Sequence, residues 1–167
     1  MKMPNWCENN VEIIGKTETI KNLWEQAYKE ELLSTMCPIT TPNGEWDYDW
    51  CIENWGTKWE VDTDGLEYTD LDDGTAKISG WMHSAWSPPI KAFETFCEAN
   101  DDVYAEIHYH ECGFGFVGYW DSNKGDDCFE YGSKSNLDHI PDALIEEFGL
   151  NEIVDADKDE TNLTETK

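Results

Sequence analysis

The stretch "NWCENNVEIIGKTETIKNLWEQAY", Asn5 to Tyr28, changes its hydrophobic period in mid-course, and that change decides the fold class. From Asn5 to Ile14 the residues alternate. Cys7, Asn9, Val11 and Ile13 share one side, while Trp6, Glu8, Asn10 and Glu12 share the other, which is the period of a β-strand. Gly15 is expected to end it. Ile20, Leu23, Trp24, Ala27 and Tyr28 then recur at the spacing of an amphipathic helix, with Thr17 or Thr19 as its N-cap. The same succession returns downstream. Ala76 to Met82 alternates as a strand, and Ser87 and Pro88 suit the N-cap and first turn of a helix burying Ile90, Phe93, Phe96 and Cys97. "VYAEIHYHE" (103–111), "FGFVGYW" (114–120) and "DCFEYG" (127–132) read as further strands. Pro141 to Phe148 reads as a short helix stopped by Gly149. Strand, helix, helical insert, two strands, helix and more strands make an α+β pattern, with a mostly antiparallel sheet and helices on one face.

Between the first helix and the second strand lies "WDYDWCIENWGTKWEV" (46–61), with Trp46, Trp50, Trp55 and Trp59. Trp46 and Trp50 are four apart, so they share one face of a short helix. Gly56 suits a left-handed stop, and Thr57, Trp59 and Val61 alternate as a strand. Large aromatics on packing faces are expected to serve the core, since each can bury about 150–250 Å². Residues 1–154 thus form one domain with a Trp-rich helical insertion at 34–58. Residues 155–167 are polar and acidic and are expected to be disordered.

The chain carries 37 Asp and Glu against 11 Lys, no Arg, and a net charge of -26. Such a surface repels nucleic acid and anionic membranes and attracts basic partners. The magnitude exceeds the roughly 2 to 8 that keeps a small domain soluble. Direct nucleic-acid binding and membrane binding are therefore not expected. No signal peptide or long apolar run is present, so a soluble cytoplasmic protein is expected. The cysteines, with no CxxC pair, read as free, buried thiols, and Cys112 in particular as a buried structural one.

Three blocks, "MPNWCENN" (3–10), "WDYDWCIENWGTKWEV" followed by "SAWSPP" (84–89), and "ECGFGFVGYW" (111–120), together resemble the YubB-type ferredoxin-like proteins of phages and plasmids. The resemblance implies a ferredoxin-like α+β domain with an insertion, encoded by a mobile element. It implies no iron–sulfur cluster and no catalytic residues, and no cofactor is expected.

Glu106, His108 and His110 share one strand face, and with Glu111 or His83 the histidines could hold a metal or perform acid–base work. The alternative is an ordinary, half-exposed sheet face. Asp155, Asp157 and Asp159 match part of a calcium loop, but Glu160 stands where Gly is needed and Thr166 where Glu is needed. Nucleophile and phosphate-loop motifs are absent. The leading expectation is a non-enzymatic acidic protein that inhibits a basic, DNA-binding host defence factor by imitating nucleic acid. Its acids fall in three sets. One holds Asp62, Asp64, Glu67, Asp70, Asp72 and Asp73; another Asp121, Asp126, Asp127 and Glu130; the last Glu146, Glu147 and Glu152. Two alternatives stay open. One is a nucleotide- or small-molecule-binding pocket built from Trp55, Lys58, Trp59, Trp86 and Trp120. The other is a metal-dependent enzyme using His108 and His110.

Overall fold

β1 (Trp6–Lys16) is the strand around which the molecule is arranged. The structure is a computed structural model and describes residues 5–132 and 137–155. β1 pairs along its whole length with β3 (Thr75–Ala85), and on its other side with β4 (Tyr104–Glu111). β2 (Leu66–Asp70) lies outside β3, while β5 (Phe116–Asp121) and β6 (Gly125–Glu130) lie outside β4. The six-stranded sheet has the order β2-β3-β1-β4-β5-β6, and every pairing is antiparallel. The helices are α1 (Thr17–Ala27), α2 (Leu32–Met36), α3 (Tyr48–Asn54), α4 (Ile90–Ala99) and α5 (Asp142–Phe148). Helical backbone resumes at 150–155, and 156–167, which hold most of the expected tail and of the calcium-like pattern, lie outside the described residues.

The alternation in β1 is real, and it sorts the sheet into two unlike faces. On one, Val11 and Ile13 meet Ile78, Met82 and Ile107 beneath α1 and α4, whose Ile20, Leu23 and Phe93 are fully buried. The other face carries Glu8, Asn10 and Glu12 of β1, Trp81 and His83 of β3, and Glu106, His108 and His110 of β4. The expectation that all helices lie on one face is corrected here. α5 packs on this second face, over a separate core of Val117, Tyr131, Leu137, Ile140, Leu144, Phe148, Leu150 and Val154. Glu147 clasps the helix to the sheet, accepting from Asn10 Nδ2 at 2.7 Å and meeting His108 Nδ1 at 2.7 Å. Phe148 rests edge-on against Trp81, with ring centroids 5.8 Å apart.

Several local expectations shift for identifiable reasons. Gly15 does not end β1. It is buried, and a Cβ there would lie 2.9 Å from Val103 Cγ2, so the glycine lets a neighbouring loop approach. Neither Thr17 nor Thr19 caps α1, which starts directly from the strand, and Tyr28 is 79% exposed beyond its end. Ser87 does not cap α4. Its hydroxyl donates instead to the Gly56 carbonyl, and Pro89 holds the cap position.

The Trp-rich insertion is tied down largely by its indoles. α3 begins at Tyr48, so Trp46 precedes it, and Asp47 caps the helix by accepting from Trp50 N at 2.8 Å. Trp55 is buried and donates from Nε1 to the Cys37 carbonyl at 2.8 Å. Trp50 packs edge-on against it at 5.7 Å. Trp46 stays half exposed but donates to the Lys58 carbonyl at 2.9 Å. Residues 57–61 form no strand, although Thr57 and Val61 are buried in alternation. Their bonds go elsewhere: Thr57 Oγ1 donates to the Ala85 carbonyl, and the Glu60 carboxylate accepts from Leu33 N and Ser34 N at the start of α2.

Candidate functional site

The three sequence blocks, far apart in the chain, meet at one end of the sheet. Asn9 is fully buried and donates from Nδ2 to Cys7 O at 3.0 Å and Ser84 Oγ at 2.9 Å. Ser84 Oγ in turn donates to Ser87 O at 2.7 Å, so the first two blocks are joined by buried side chains. Trp86 N donates to Asn5 O at 2.8 Å. Trp86 has φ 74°, a left-handed backbone that costs a bulky L-residue of order 1–3 kcal/mol. The third block is the β4–β5 turn. Glu111 is fully buried, and its carboxylate accepts from Gly113 N at 2.7 Å and Phe114 N at 2.8 Å. A Cβ on Gly113 would lie 2.2 Å from Asn5 Nδ2, so the turn packs directly against the first block. Phe114 then meets Trp86, with centroids 6.1 Å apart.

Beside this junction, on the face that α5 partly covers, opens a cavity of about 660 Å³. Trp6, Glu8, Asp62, His83, His110 and Glu111 are among its lining residues. The sheet register explains the arrangement. Glu8 is opposite His83 on one side and opposite His110 on the other, so His83, Glu8 and His110 form a row across the three central strands. Asp62 fixes His83, accepting from its backbone N–H at 2.9 Å and meeting Nδ1 at 3.0 Å. His110 is 3% exposed. Its Nε2 meets the Tyr131 hydroxyl at 2.8 Å, and its Nδ1 lies 3.8 Å from the Glu8 carboxylate. Burial lowers the His110 pKa, and the charges of Glu8 and Glu111 partly oppose that shift.

His108 and His110 thus do different work despite sharing a strand face. His108 binds α5 through Glu147, whereas His110 helps to line the cavity. The half-exposed sheet face holds for His108 and fails for His110. Among the described residues, no group of three or more His, Cys, Asp or Glu side chains is placed to hold a metal ion.

The tryptophans proposed as one pocket are dispersed. Trp55 and Trp120 are 2% and 1% exposed and belong to the core, Trp120 packing edge-on against Phe93. Trp59 and Trp86 are partly buried, and Lys58 Nζ sits 4.4 Å over the Trp59 ring. The aromatic at the observed cavity is Trp6, 6.4 Å from Trp59. Cys112 is exposed at the cavity, and Cys128 is exposed on β6, so the expectation of buried thiols holds for Cys7 and Cys51 and is corrected for these two. The hairpin turn carries Cys112 outward because Glu111 takes the inward position.

The acid sets are also dispersed. Asp64, Glu67, Asp70, Asp72 and Asp73 are exposed along β2 and its turn, and Asp126, Asp127 and Glu130 are exposed on β6. These are opposite edges of a six-stranded sheet, about 24 Å apart at about 4.8 Å per strand. Asp121 is 5% exposed and spent on its turn, accepting from Asn123 N and Lys124 N. Glu147 is spent on His108 and Asn10, while Glu146 and Glu152 face solvent. Sequence reasoning missed Trp6 and Glu8 as site residues, and the pairing of Asp62 with His83. The register of β1 against both neighbours brings Glu8 to His83 and His110, and the loop ahead of β2, which pairs with β3, brings Asp62 to His83. Among the described residues no helix is long and apolar enough to cross a membrane. Comparison with family models, curated proteins and solved structures returned no match to this chain.

Proposed function

We propose that this is a non-enzymatic, ferredoxin-like protein of the YubB type that occupies a basic surface of a host protein, presenting carboxylates where nucleic acid presents phosphates. The target class is a DNA-binding defence factor of the host that a mobile element must disable. The observation that carries the reading is that, among the described residues, most exposed carboxylates on the β2 and β6 edges face solvent and not a lysine. Between described residues, Lys77–Glu12 at 3.6 Å is the lysine–carboxylate ion pair. The remaining exposed acids leave a field that steers basic partners and falls off with salt. The ferredoxin-like assignment draws support from the first four strands. Their order, β2-β3-β1-β4, and their strand–helix–strand–strand–helix–strand connectivity match that arrangement, with β5 and β6 as additions.

The β2 edge is the best-placed contact surface. Glu67 and Asp70 lie on an open edge strand, and Asp72 and Asp73 continue the row through the turn. Hydrogen bonds from Thr75 lower the Asp73 pKa and hold its charge. The test is a pull-down from host lysate across a salt series, with a second bait carrying Asp64→Asn, Glu67→Gln, Asp70→Asn and Asp72→Asn. A DNA-binding protein is expected to be retained at low salt, to elute as salt rises and to be lost with the neutralised bait. Equal retention by both baits, or no basic protein retained by either, would overturn the reading.

A further inference from the structure

We infer that the cavity between Trp6 and the His83–Glu8–His110 row is a binding site for an organic cation, an alkylammonium or guanidinium group. This goes beyond the proposed surface interaction, because Glu8 and Glu111 belong to neither edge. The volume of about 660 Å³ lies within the roughly 300–1,000 Å³ range of small-molecule sites. Among the described residues the lining holds the carboxylates of Glu8, Asp62 and Glu111 and no lysine. Three carboxylates against two histidines disfavour an anion such as a nucleotide or phosphate, whereas a cation is drawn in.

The carboxylates are not equivalent, and the difference indicates which one a ligand would use. Glu111 has both oxygens engaged by backbone N–H groups. Asp62 has both engaged by His83. Glu8 is half exposed, and the His110 Nδ1 that faces it lies at 3.8 Å, beyond hydrogen-bond length. Glu8 therefore offers its acceptors to a donor entering the cavity. Beside it on β1, Trp6 presents a ring that is 42% exposed. A cation over an indole face is attracted by the ring quadrupole, and the neighbouring Trp59 already carries Lys58 in that relation at 4.4 Å. The junction beside the cavity is held by buried hydrogen bonds. Asn9, Ser84 and Glu111 are fully buried and hydrogen-bonded, and the strained Trp86 is pinned through its own N–H.

The same cation chemistry can come from a free amine or from a lysine or arginine side chain. Calorimetry and tryptophan fluorescence on the full chain would use agmatine and putrescine as one arm, and N-acetyl-lysinamide and N-acetyl-argininamide as the other. Sodium chloride at matched ionic strength controls for general screening, and AMP serves as the anionic probe. Saturable binding of one cation per chain is expected in at least one arm, and the arm that binds identifies the source. Glu8→Gln and Trp6→Leu should each weaken binding about tenfold. The β2-edge quadruple variant should leave it unchanged, although that variant abolishes capture in the pull-down. Glu8 is exposed, so its substitution leaves the fold intact, and circular dichroism verifies this for Trp6→Leu. Absence of saturable binding in both arms, binding of AMP instead, or a loss shared equally by the edge variant would overturn the assignment.

Discussion

His110 is a side chain through which acid should act on the stability of the fold. It sits buried between the Tyr131 hydroxyl and Glu8, and burial lowers its folded pKa. The unfolded chain therefore takes up this proton first as pH falls below about 6.5. The stability that His110 contributes is complete above that value and is lost as pH falls towards the lowered folded pKa. Urea unfolding at pH 8 and pH 5.5 should show the gap between the wild type and His110→Gln narrowing at the lower pH. The comparison with the variant matters, because Glu60 and Asp126 have raised pKa values and act with the opposite sign in both proteins. Cysteine offers a parallel case of environment deciding chemistry. Burial pushes the Cys97 thiol up to about 11, and the fully buried Cys7 higher still. None of this was legible in the residue types. That His110 would be buried and its neighbour His108 clasped to a helix depends on α5, whose face of docking no period in β4 encodes.

At the scale of elements, the Trp-rich insertion separates anchoring tryptophans from fastening ones. Trp55→Ala should cost about 3–5 kcal/mol, because it empties a buried site and leaves the Cys37 carbonyl without its donor. Trp46→Ala should cost about 1 kcal/mol, the worth of a single hydrogen bond from a half-exposed ring. Chemical denaturation of the two variants checks both values. Elements with a strong period were legible: β1, α1, α4, and α5 with its left-handed Gly149 stop. Elements whose state depends on a partner were not. Residues 57–61 have the alternation of a strand, but a strand needs a neighbouring backbone, and here the bonds run to α2 and the end of β3. The N-caps failed for a related reason. Thr17 and Ser87 are good capping types, yet Thr17 is already the first helical residue, with its N–H donating to the Gly74 carbonyl, and the Ser87 hydroxyl donates to the Gly56 carbonyl. The acids on β2 and β6 also have a local role. They mark the two open edges of the sheet and discourage pairing with another chain.

For the whole molecule, a net charge of -26, with few lysine–carboxylate pairs among the described residues, means that folding concentrates like charges. Raising sodium chloride from 0.01 M to 1 M shortens the screening length from roughly 30 Å to roughly 3 Å. The melting temperature should rise by roughly 5 °C over that range, equivalent to about 1–2 kcal/mol, and differential scanning calorimetry measures it. A flat response would mean that the carboxylates are spaced too widely to repel. The cavity was the least legible feature of the molecule, because its walls come from β1, β3, β4 and the loop ahead of β2, and only their pairing makes them neighbours. The second core, under α5, draws its residues from Val117 onward. By the time Glu111 has left the ribosome, the four strands β2, β3, β1 and β4 and both helices of the first face have all been made. The strip of Glu8, Asn10, Glu12, Glu106 and His108 is then the outer wall of a nascent domain, and its polarity keeps that wall wet. The later chain settles onto a largely water-compatible platform, so the middle of the central strand can wait for its cover without turning a greasy back to the cell.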